Sequence, residues 1–146
     1  MSDLIASTTL WSPEEQEILA RIARLVIGDD PEGLMPAVDE SILAQVFNRA
    51  TGFERPIRRG FGVLEKVCEG DVASQGDESL TALMEAHPEL RSMLRAMMQV
   101  VAQCYYEDAR VLAALGFEAR PPFPAGHELE EGDWSLLDPV RARGPA

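Results

Sequence analysis

The sequence has few aromatic residues, cysteines and histidines. Aromatic residues make up 6% of the 146 residues, and the chain contains two cysteines and two histidines. A disulfide framework needs several cysteines, and a structural zinc site needs cysteine or histidine ligands in closely spaced pairs. Cys68 and Cys104 lie far apart, and neither has a companion histidine at ligand spacing. We therefore expect two reduced, buried cysteines and no metal site.

Positive charge is also scarce. Thirteen Lys and Arg residues stand against 25 Asp and Glu residues, which gives a formal net charge of -12. This charge disfavours nucleic acids and anionic lipid surfaces as partners. No apolar run approaches the roughly 20 residues that a transmembrane helix needs. Residues 1–10 lack the basic region, the twin arginine and the apolar stretch of an export leader, so we expect the chain to stay in the cytoplasm.

Apolar residues recur at helical spacing through most of the chain, and almost no period-two alternation is present. A composition of 46% apolar and 26% charged residues is typical of folded globular proteins. The pattern predicts an all-α fold, a compact bundle of about five to six helices. Ser12, Pro13 and Glu15 are typical of a capped helix start. Helices are predicted at residues 13–28, 39–51, 56–69, 77–86, 88–106 and 108–116.

Glycines and methionines in these helices lead to further predictions about turns and packing. Gly52 is placed to adopt a left-handed conformation after the second helix. Gly60 and Gly62 weaken the third helix, and we interpret them as permitting close approach of a neighbouring backbone. The methionines at helical spacing in the fifth helix are interpreted as core residues rather than as an open groove. They are Met93, Met97 and Met98.

The charged candidates leave two alternatives open. The arginines at 55, 58 and 59 either bind an anion at the start of the third helix, or pair with carboxylates of this chain or of a partner. His87 directly follows a predicted helix, where a protonated ring favours the negative helix end. The acidic segment 127–133 is interpreted as a solvated turn. No nucleophile with a base, HExxH motif or glycine-rich phosphate loop is present, so we expect no catalytic residue and no cofactor in this chain.

The C-terminal segment differs from the rest of the sequence. Prolines and glycines exclude a long helix after Gly116. We therefore divide the chain into a helical domain, residues 1–116, and an extended tail, residues 117–146. Within the helical domain, we expect residues 1–11 to be a flexible N-terminus. Apolar residues such as Phe123 and Trp134 recur through the tail. A tail with separated apolar anchors wraps either another protein or its own bundle, and simple disorder is the third alternative.

Three short segments of the sequence resemble a known family. They are Tyr-Tyr at 105–106, Leu-Gly-Phe at 115–117 and Pro-Pro-Phe-Pro-Ala-Gly-His at 121–127. They are similar to the gluconate 2-dehydrogenase subunit 3 family, the small non-flavin subunits of FAD-dependent dehydrogenases of the glucose-methanol-choline type. The likeness covers roughly residues 12–127. Its candidate partner-binding residues are Tyr105, Tyr106, Gly116, Phe117, Pro122, Pro124, Gly126 and His127, to which we add Phe123 and Trp134 as apolar anchors on physical grounds.

This resemblance implies a non-catalytic accessory subunit that binds and stabilises an FAD-dependent alcohol or sugar dehydrogenase, with the FAD held by the partner subunit. Many members of the family begin with a twin-arginine leader, which residues 1–10 do not contain. An alternative follows from the residues alone. An amphipathic bundle without a catalytic constellation is also typical of a free-standing regulatory or ligand-binding module, including a homodimer.

Overall fold

The computed structural model describes residues 10–117 and 132–142, which contain helices and turns and no strand. The predicted all-α fold is confirmed. The helices are α1 (Pro13–Ile27), α2 (Glu40–Ala50), α3 (Glu54–Val67), α4 (Asp77–Ala86), α5 (Arg91–Tyr106), α6 (Ala109–Ala114) and α7 (Asp138–Arg141), with 3₁₀ turns at Thr51–Phe53, Pro88–Leu90 and Trp134–Leu137.

α1 begins at a complete capping box. The Ser12 hydroxyl accepts a hydrogen bond from the Glu15 N–H at 3.2 Å, and the Glu15 carboxylate accepts one from the Ser12 N–H at 2.8 Å. These bonds satisfy two of the backbone donors that a helix start leaves unpaired. The helix ends at Gly28, whose φ of 77° is in the left-handed region. Both ends of α1 agree with the prediction because both depend on local interactions.

α5 is the central helix of the bundle and packs against α1, α2 and α3. Met93 and Met97 are buried in this core, as expected, whereas Met98 is 52% exposed. Cys104 is fully buried on α5, and Cys68 is buried at the end of α3, with neither in a disulfide. The other buried side chains of α5 are Ala96, Val100, Val101 and Tyr105.

The junction between α2 and α3 differs from the prediction. Gly52 does not adopt a left-handed conformation. The chain instead continues through the 3₁₀ turn Thr51–Phe53 into α3, which begins at Glu54, two residues before Pro56. The Thr51 hydroxyl donates to the Asn48 carbonyl at 2.6 Å, so a hydrogen bond within the turn replaces the expected glycine cap.

The two glycines of α3 have different surroundings. A Cβ atom added to Gly60 would lie 2.6 Å from the Cβ of Met93 and 2.2 Å from its sulfur, whereas a Cβ on Gly62 would meet no atom within 4 Å. Close approach therefore occurs at Gly60 alone. The neighbour is a side chain of α5 and not the backbone that the sequence led us to expect.

Trp11 is a core residue, 2% exposed. Its indole N–H donates to the Phe47 carbonyl at 3.0 Å, and its ring meets Phe61 edge to face with centroids 6.1 Å apart. Phe47 lies in the last turn of α2, where carbonyls lack helical partners, so Trp11 also caps that helix. The flexible N-terminus expected for residues 1–11 is therefore wrong at Trp11, while residues 1–9 lie outside the described residues.

The C-terminal segment 132–142 also differs from the extended tail expected there. It forms a 3₁₀ turn followed by α7, because the Asp133 carboxylate accepts a hydrogen bond from the Ser135 N–H at 3.0 Å and starts the turn. Three of its apolar side chains are exposed, Trp134 at 67%, Leu136 at 75% and Leu137 at 41%. The rest of the expected tail, apart from Phe117, lies outside the described residues.

The end of α3 contains a strained residue. Glu69 has a φ of 52°, and its N–H donates to the Lys66 carbonyl at 3.4 Å, while the Gly70 N–H donates to the Glu65 carbonyl at 2.8 Å. This hydrogen-bond pattern is a Schellman motif, whose left-handed position favours glycine because a Cβ there is crowded. α6 ends in the same way with Gly116 at the left-handed position.

Glu69→Gly should raise the free energy of unfolding by about 0.5–1 kcal/mol, because it removes the strain of a Cβ at a left-handed position. Gly116→Ala is the matched control and should lower it by about 1 kcal/mol. Urea denaturation followed by circular dichroism measures both changes. Two shifts of the same sign would contradict this explanation of the two helix ends.

Candidate functional site

A cavity of about 590 Å³ lies between the end of α1, the loop at residues 28–38 and the end of α5. Tyr105 and Tyr106, the first two of the predicted partner-binding residues, both line it. The loop contributes Met35 and Pro36, and Arg24 of α1 also lines the cavity. The tyrosine pair is thus placed at a concave surface of mixed polar and apolar character.

Tyr105 is the buried member of the pair, 2% exposed. Its hydroxyl donates to the Pro36 carbonyl at 2.6 Å, which ties α5 to the loop before α2. Burial raises the pKa of the Tyr105 hydroxyl, and the neighbouring Tyr106 and Asp30 act in the same direction. The expectation that Tyr105 binds a partner is therefore corrected, because nearly all of its surface is used within its own chain.

Tyr106 is 52% exposed, and its ring packs edge to face on Tyr105 with centroids 5.3 Å apart and an interplanar angle of 87°. The contact fixes one side of the Tyr106 ring and leaves the other side in solvent. A tyrosine held in this way offers a large, pre-oriented apolar area and a hydroxyl to another molecule. Tyr106 therefore remains a candidate for partner binding.

The loop beside the cavity is shaped by Asp30. Its carboxylate accepts hydrogen bonds from the Met35 N–H at 2.6 Å and the Glu32 N–H at 3.3 Å, and its carbonyl accepts one from the Gly33 N–H at 3.1 Å. An aspartate that binds the backbone ahead of it is a common turn device. Leu34, at the tip of this turn, is 69% exposed. The sequence indicated a loop here but not an exposed leucine next to the cavity.

The Leu-Gly-Phe segment forms the end of α6. Gly116 has a φ of 81°, its N–H donates to the Ala113 carbonyl at 3.0 Å, and the Phe117 N–H donates to the Leu112 carbonyl at 2.8 Å. Gly116 therefore shapes the turn that leads out of the bundle, as expected. Phe117 is 64% exposed and Leu115 is 45% exposed, so this turn presents two apolar side chains to solvent.

The remaining predicted site residues lie in the tail. Trp134 is exposed in the 3₁₀ turn at residues 134–137. The others, Pro122, Phe123, Pro124, Gly126 and His127, lie outside the described residues.

A charged cluster holds α6 against the start of α2. The Arg110 guanidinium donates to the Asp39 carboxylate at 2.6 and 3.3 Å, to the Asp108 carboxylate at 3.0 and 2.9 Å, and to the Ser41 hydroxyl at 3.1 Å. Asp108 is the N-cap of α6 and Asp39 the N-cap of α2, so one arginine joins two helix starts. Its hydrogen bonds lower the pKa of both carboxyls.

Arg110→Gln should lower stability more at neutral pH than in acid. Asp39 and Asp108 have lowered pKa values in the folded chain, so their contribution is complete above the ordinary carboxyl pKa of about 4 and is lost progressively as the pH falls toward the lowered values. Urea midpoints of the wild type and the variant, measured at neutral pH and near pH 2 where the difference should be clearly smaller, test this. Arg95→Gln, which removes an exposed arginine without a described ion pair, is the control. An equal deficit at both pH values would contradict the prediction.

Of the three arginines at the start of α3, the structure decides between the two alternatives for Arg58 alone. Arg58 donates to Glu54 at 2.8 Å and to Glu15 at 2.9 Å, and its guanidinium lies 5.2 Å from the centre of the Trp11 ring. This arginine therefore pairs with carboxylates of its own chain. Arg55 and Arg59 are exposed and form no ion pair with a described residue.

The described residues show few groups with catalytic potential. Within residues 10–117 and 132–142, no three His, Cys, Asp or Glu side chains are grouped so that they could hold a metal ion. Burial raises the pKa of both thiols, which keeps them protonated and poorly nucleophilic. The side chain of His87 is half-buried at the end of α4, where its backbone N–H donates to the Leu83 carbonyl at 3.1 Å.

Of the helices in the part of the chain that the structure describes, none is long and apolar enough to cross a membrane. Features that invite a ligand or partner include the cavity at Tyr105 and Tyr106, the exposed end of α6 and the exposed Trp134 turn. No protein-family model, curated protein or solved structure matches the chain.

Proposed function

We propose that the chain is a non-catalytic accessory subunit that binds and stabilises an FAD-dependent dehydrogenase of the glucose-methanol-choline type. The observation that supports it is the exposure of Tyr106, Leu115 and Phe117 at the ends of α5 and α6. These residues lie in two of the segments that resemble the small-subunit family. In this proposal the partner holds the FAD, this chain holds no cofactor, and the complex is cytoplasmic.

The chemistry of these side chains suits a protein interface. Aromatic residues are enriched at the centres of interfaces, because each buries a large area and loses little conformational entropy. Tyr106 is already oriented by Tyr105, and Phe117 follows a turn fixed by two backbone hydrogen bonds. Such pre-orientation reduces the entropic cost of binding. The exposed Trp134 and Leu136 extend the set of anchors into the C-terminal segment.

Co-expression with a flavoprotein dehydrogenase of the glucose-methanol-choline type from the same organism tests the proposal. A tagged chain should retain the flavoprotein, detected by its flavin absorbance, and the flavoprotein should be less soluble when expressed alone. Tyr106→Ala combined with Phe117→Ser should weaken retention at least about tenfold, because two interface aromatics are lost. Met98→Ala is the matched control, since Met98 and Tyr106 are both 52% exposed. Purification of the chain without any flavoprotein would contradict the proposal.

Deletion of residues 117–146 separates the two interpretations of the tail. If the tail wraps the partner, the shortened chain should keep its helical circular dichroism signal and its melting temperature but lose the flavoprotein. If the tail packs on its own bundle, the melting temperature should fall even without a partner. The second result would restrict the partner surface to residues of the bundle.

A free-standing ligand-binding module, including a homodimer, is the second candidate. The cavity beside Tyr105 and Tyr106 supports it, because about 590 Å³ lies within the usual range of small-ligand sites. Light scattering of the purified chain distinguishes the two candidates. A stable dimer that forms without any other gene product favours the module, and a monomer that assembles only with a flavoprotein favours the accessory subunit.

A further inference from the structure

The outer face of α3 carries positive charges that no described residue of this chain neutralises. Arg55, Arg59 and Lys66 are exposed, and none of them forms an ion pair or a side-chain hydrogen bond with a described residue. Their neighbour Arg58 is paired with both Glu54 and Glu15. With 25 acidic and 13 basic residues in the chain, carboxylates are in excess, so three cations on one helix without a described ion pair form a local concentration of positive charge.

The three cations share one face with Gly62. The residues at 55, 59, 62 and 66 follow the spacing that aligns side chains along a helix, and they lie opposite the buried Ile57 and Leu64. Val63 is half-buried at the edge of this face. The face is therefore a positively charged strip, with no side chain at Gly62 in its middle and the apolar Val63 at its border.

None of the described residues explains the glycine at position 62. Glycine is the least favourable helix residue after proline, and no described atom would lie within 4 Å of a Cβ at this position. Gly60, two residues earlier and on the buried side of the helix, is explained by its contact with Met93. Gly62 is half-buried on the outer side of α3, where a glycine permits another backbone to approach closely.

We propose that the outer face of α3 is a docking surface for an acidic helix of another protein. The partner helix would place carboxylates against Arg55, Arg59 and Lys66 and a small residue against Gly62. A nucleic acid does not fit this face, because it is charged along its whole length and the strip offers only three cations, beyond which a chain of net charge -12 repels it.

The test needs no knowledge of the natural partner and does not depend on the proposed function. The probe is a synthetic alanine-rich helical peptide with glutamates at the spacing of residues 55, 59 and 66 and alanine at the position facing Gly62. Addition of this peptide to the full-length, ¹⁵N-labelled chain should shift the backbone amide signals of Arg59, Gly62 and Lys66 most strongly. Shifts confined to other helices, or no shifts at millimolar peptide, would overturn the proposal.

Two sets of variants test charge and close approach separately. Arg55→Glu with Arg59→Glu should weaken peptide binding about tenfold at 0.15 M salt, whereas Arg91→Glu with Arg95→Glu, an equal charge change on α5, should have a much smaller effect because charges beyond about 8 Å are screened. Gly62→Leu should also weaken binding about tenfold by blocking approach. Equal effects of the two charge reversals would overturn the proposal.

Gly62→Leu should raise the melting temperature, since leucine favours the helix and the site is open, and this result separates lost binding from lost folding. A short DNA duplex of equal charge is the probe for the competing class of partner. Binding of the duplex as tightly as the peptide would identify a general anion surface and overturn the proposal of a helix site. Undiminished peptide binding by Gly62→Leu would overturn it as well.

Discussion

Trp11→Ala should lower the free energy of unfolding by about 3–5 kcal/mol, the range measured when large buried aromatic side chains are truncated. Trp11 is 2% exposed, contacts Phe61 edge to face and donates to the Phe47 carbonyl at the end of α2. The substitution leaves a cavity between α1, α2 and α3 and removes the partner of a helix-terminal carbonyl. Urea denaturation followed by circular dichroism measures the loss.

The two tryptophans of the chain provide a matched control. Trp134 is 67% exposed, so Trp134→Ala should change the free energy of unfolding by less than about 0.5 kcal/mol. Trp11→Phe keeps most of the ring but removes the N–H, and it should cost about 1–3 kcal/mol because the Phe47 carbonyl loses its donor. A loss below about 1 kcal/mol for Trp11→Ala would show that Trp11 is not part of the cooperative core.

Gly60→Ala should lower the free energy of unfolding by about 2 kcal/mol, although alanine is the better helix residue by about 1 kcal/mol. The added methyl group would lie 2.6 Å from the Cβ of Met93, and a Cβ cannot move away as the end of a flexible side chain can. α3 and α5 must therefore separate, and they form one of the main helix contacts of the bundle. Thermal and urea denaturation provide the measurement.

Gly62→Ala is the control for this prediction and should have the opposite sign. The site is open, so only the helix preference remains, and the free energy of unfolding should rise by about 1 kcal/mol. Combination of Gly60→Ala with Met93→Ala should cost less than the sum of the two single changes, since the methyl group occupies space that the shorter side chain vacates. Destabilisation of equal size at both glycines would contradict the assignment of the contact to Gly60.

Local interactions explain where the sequence predicted the fold well. The start of α1 depends on Ser12 and Glu15, three residues apart, and the bounds predicted for α4 agree with the structure. The end of α6 depends on Gly116 and Phe117. Their N–H groups donate to carbonyls three and five residues earlier in the chain. Interactions of this range are visible in the sequence, because the partners are always brought together when the helix forms.

The candidate site was only partly predictable, because it depends on contacts between residues that are far apart in the chain. The sequence singled out Tyr105 and Tyr106 as a pair, but their opposite environments depend on the Pro36 carbonyl, which is 69 residues away from Tyr105. The arginines at 55, 58 and 59 were equivalent in the sequence. Only the arrangement of α1 beside α3 pairs Arg58 with Glu15 and leaves Arg55 and Arg59 without a described ion pair.

By itself, the sequence determined the all-α class, the capped start of α1, the glycine ends of α1 and α6 and the acidic character of the chain, because these depend on composition and on contacts within one or two helical turns. The tertiary structure decided that Trp11 is core, that Gly60 faces Met93, and that Tyr106 is exposed while Tyr105 is buried. It did so because burial depends on which helices pack together, and that packing joins residues separated by tens of positions along the chain.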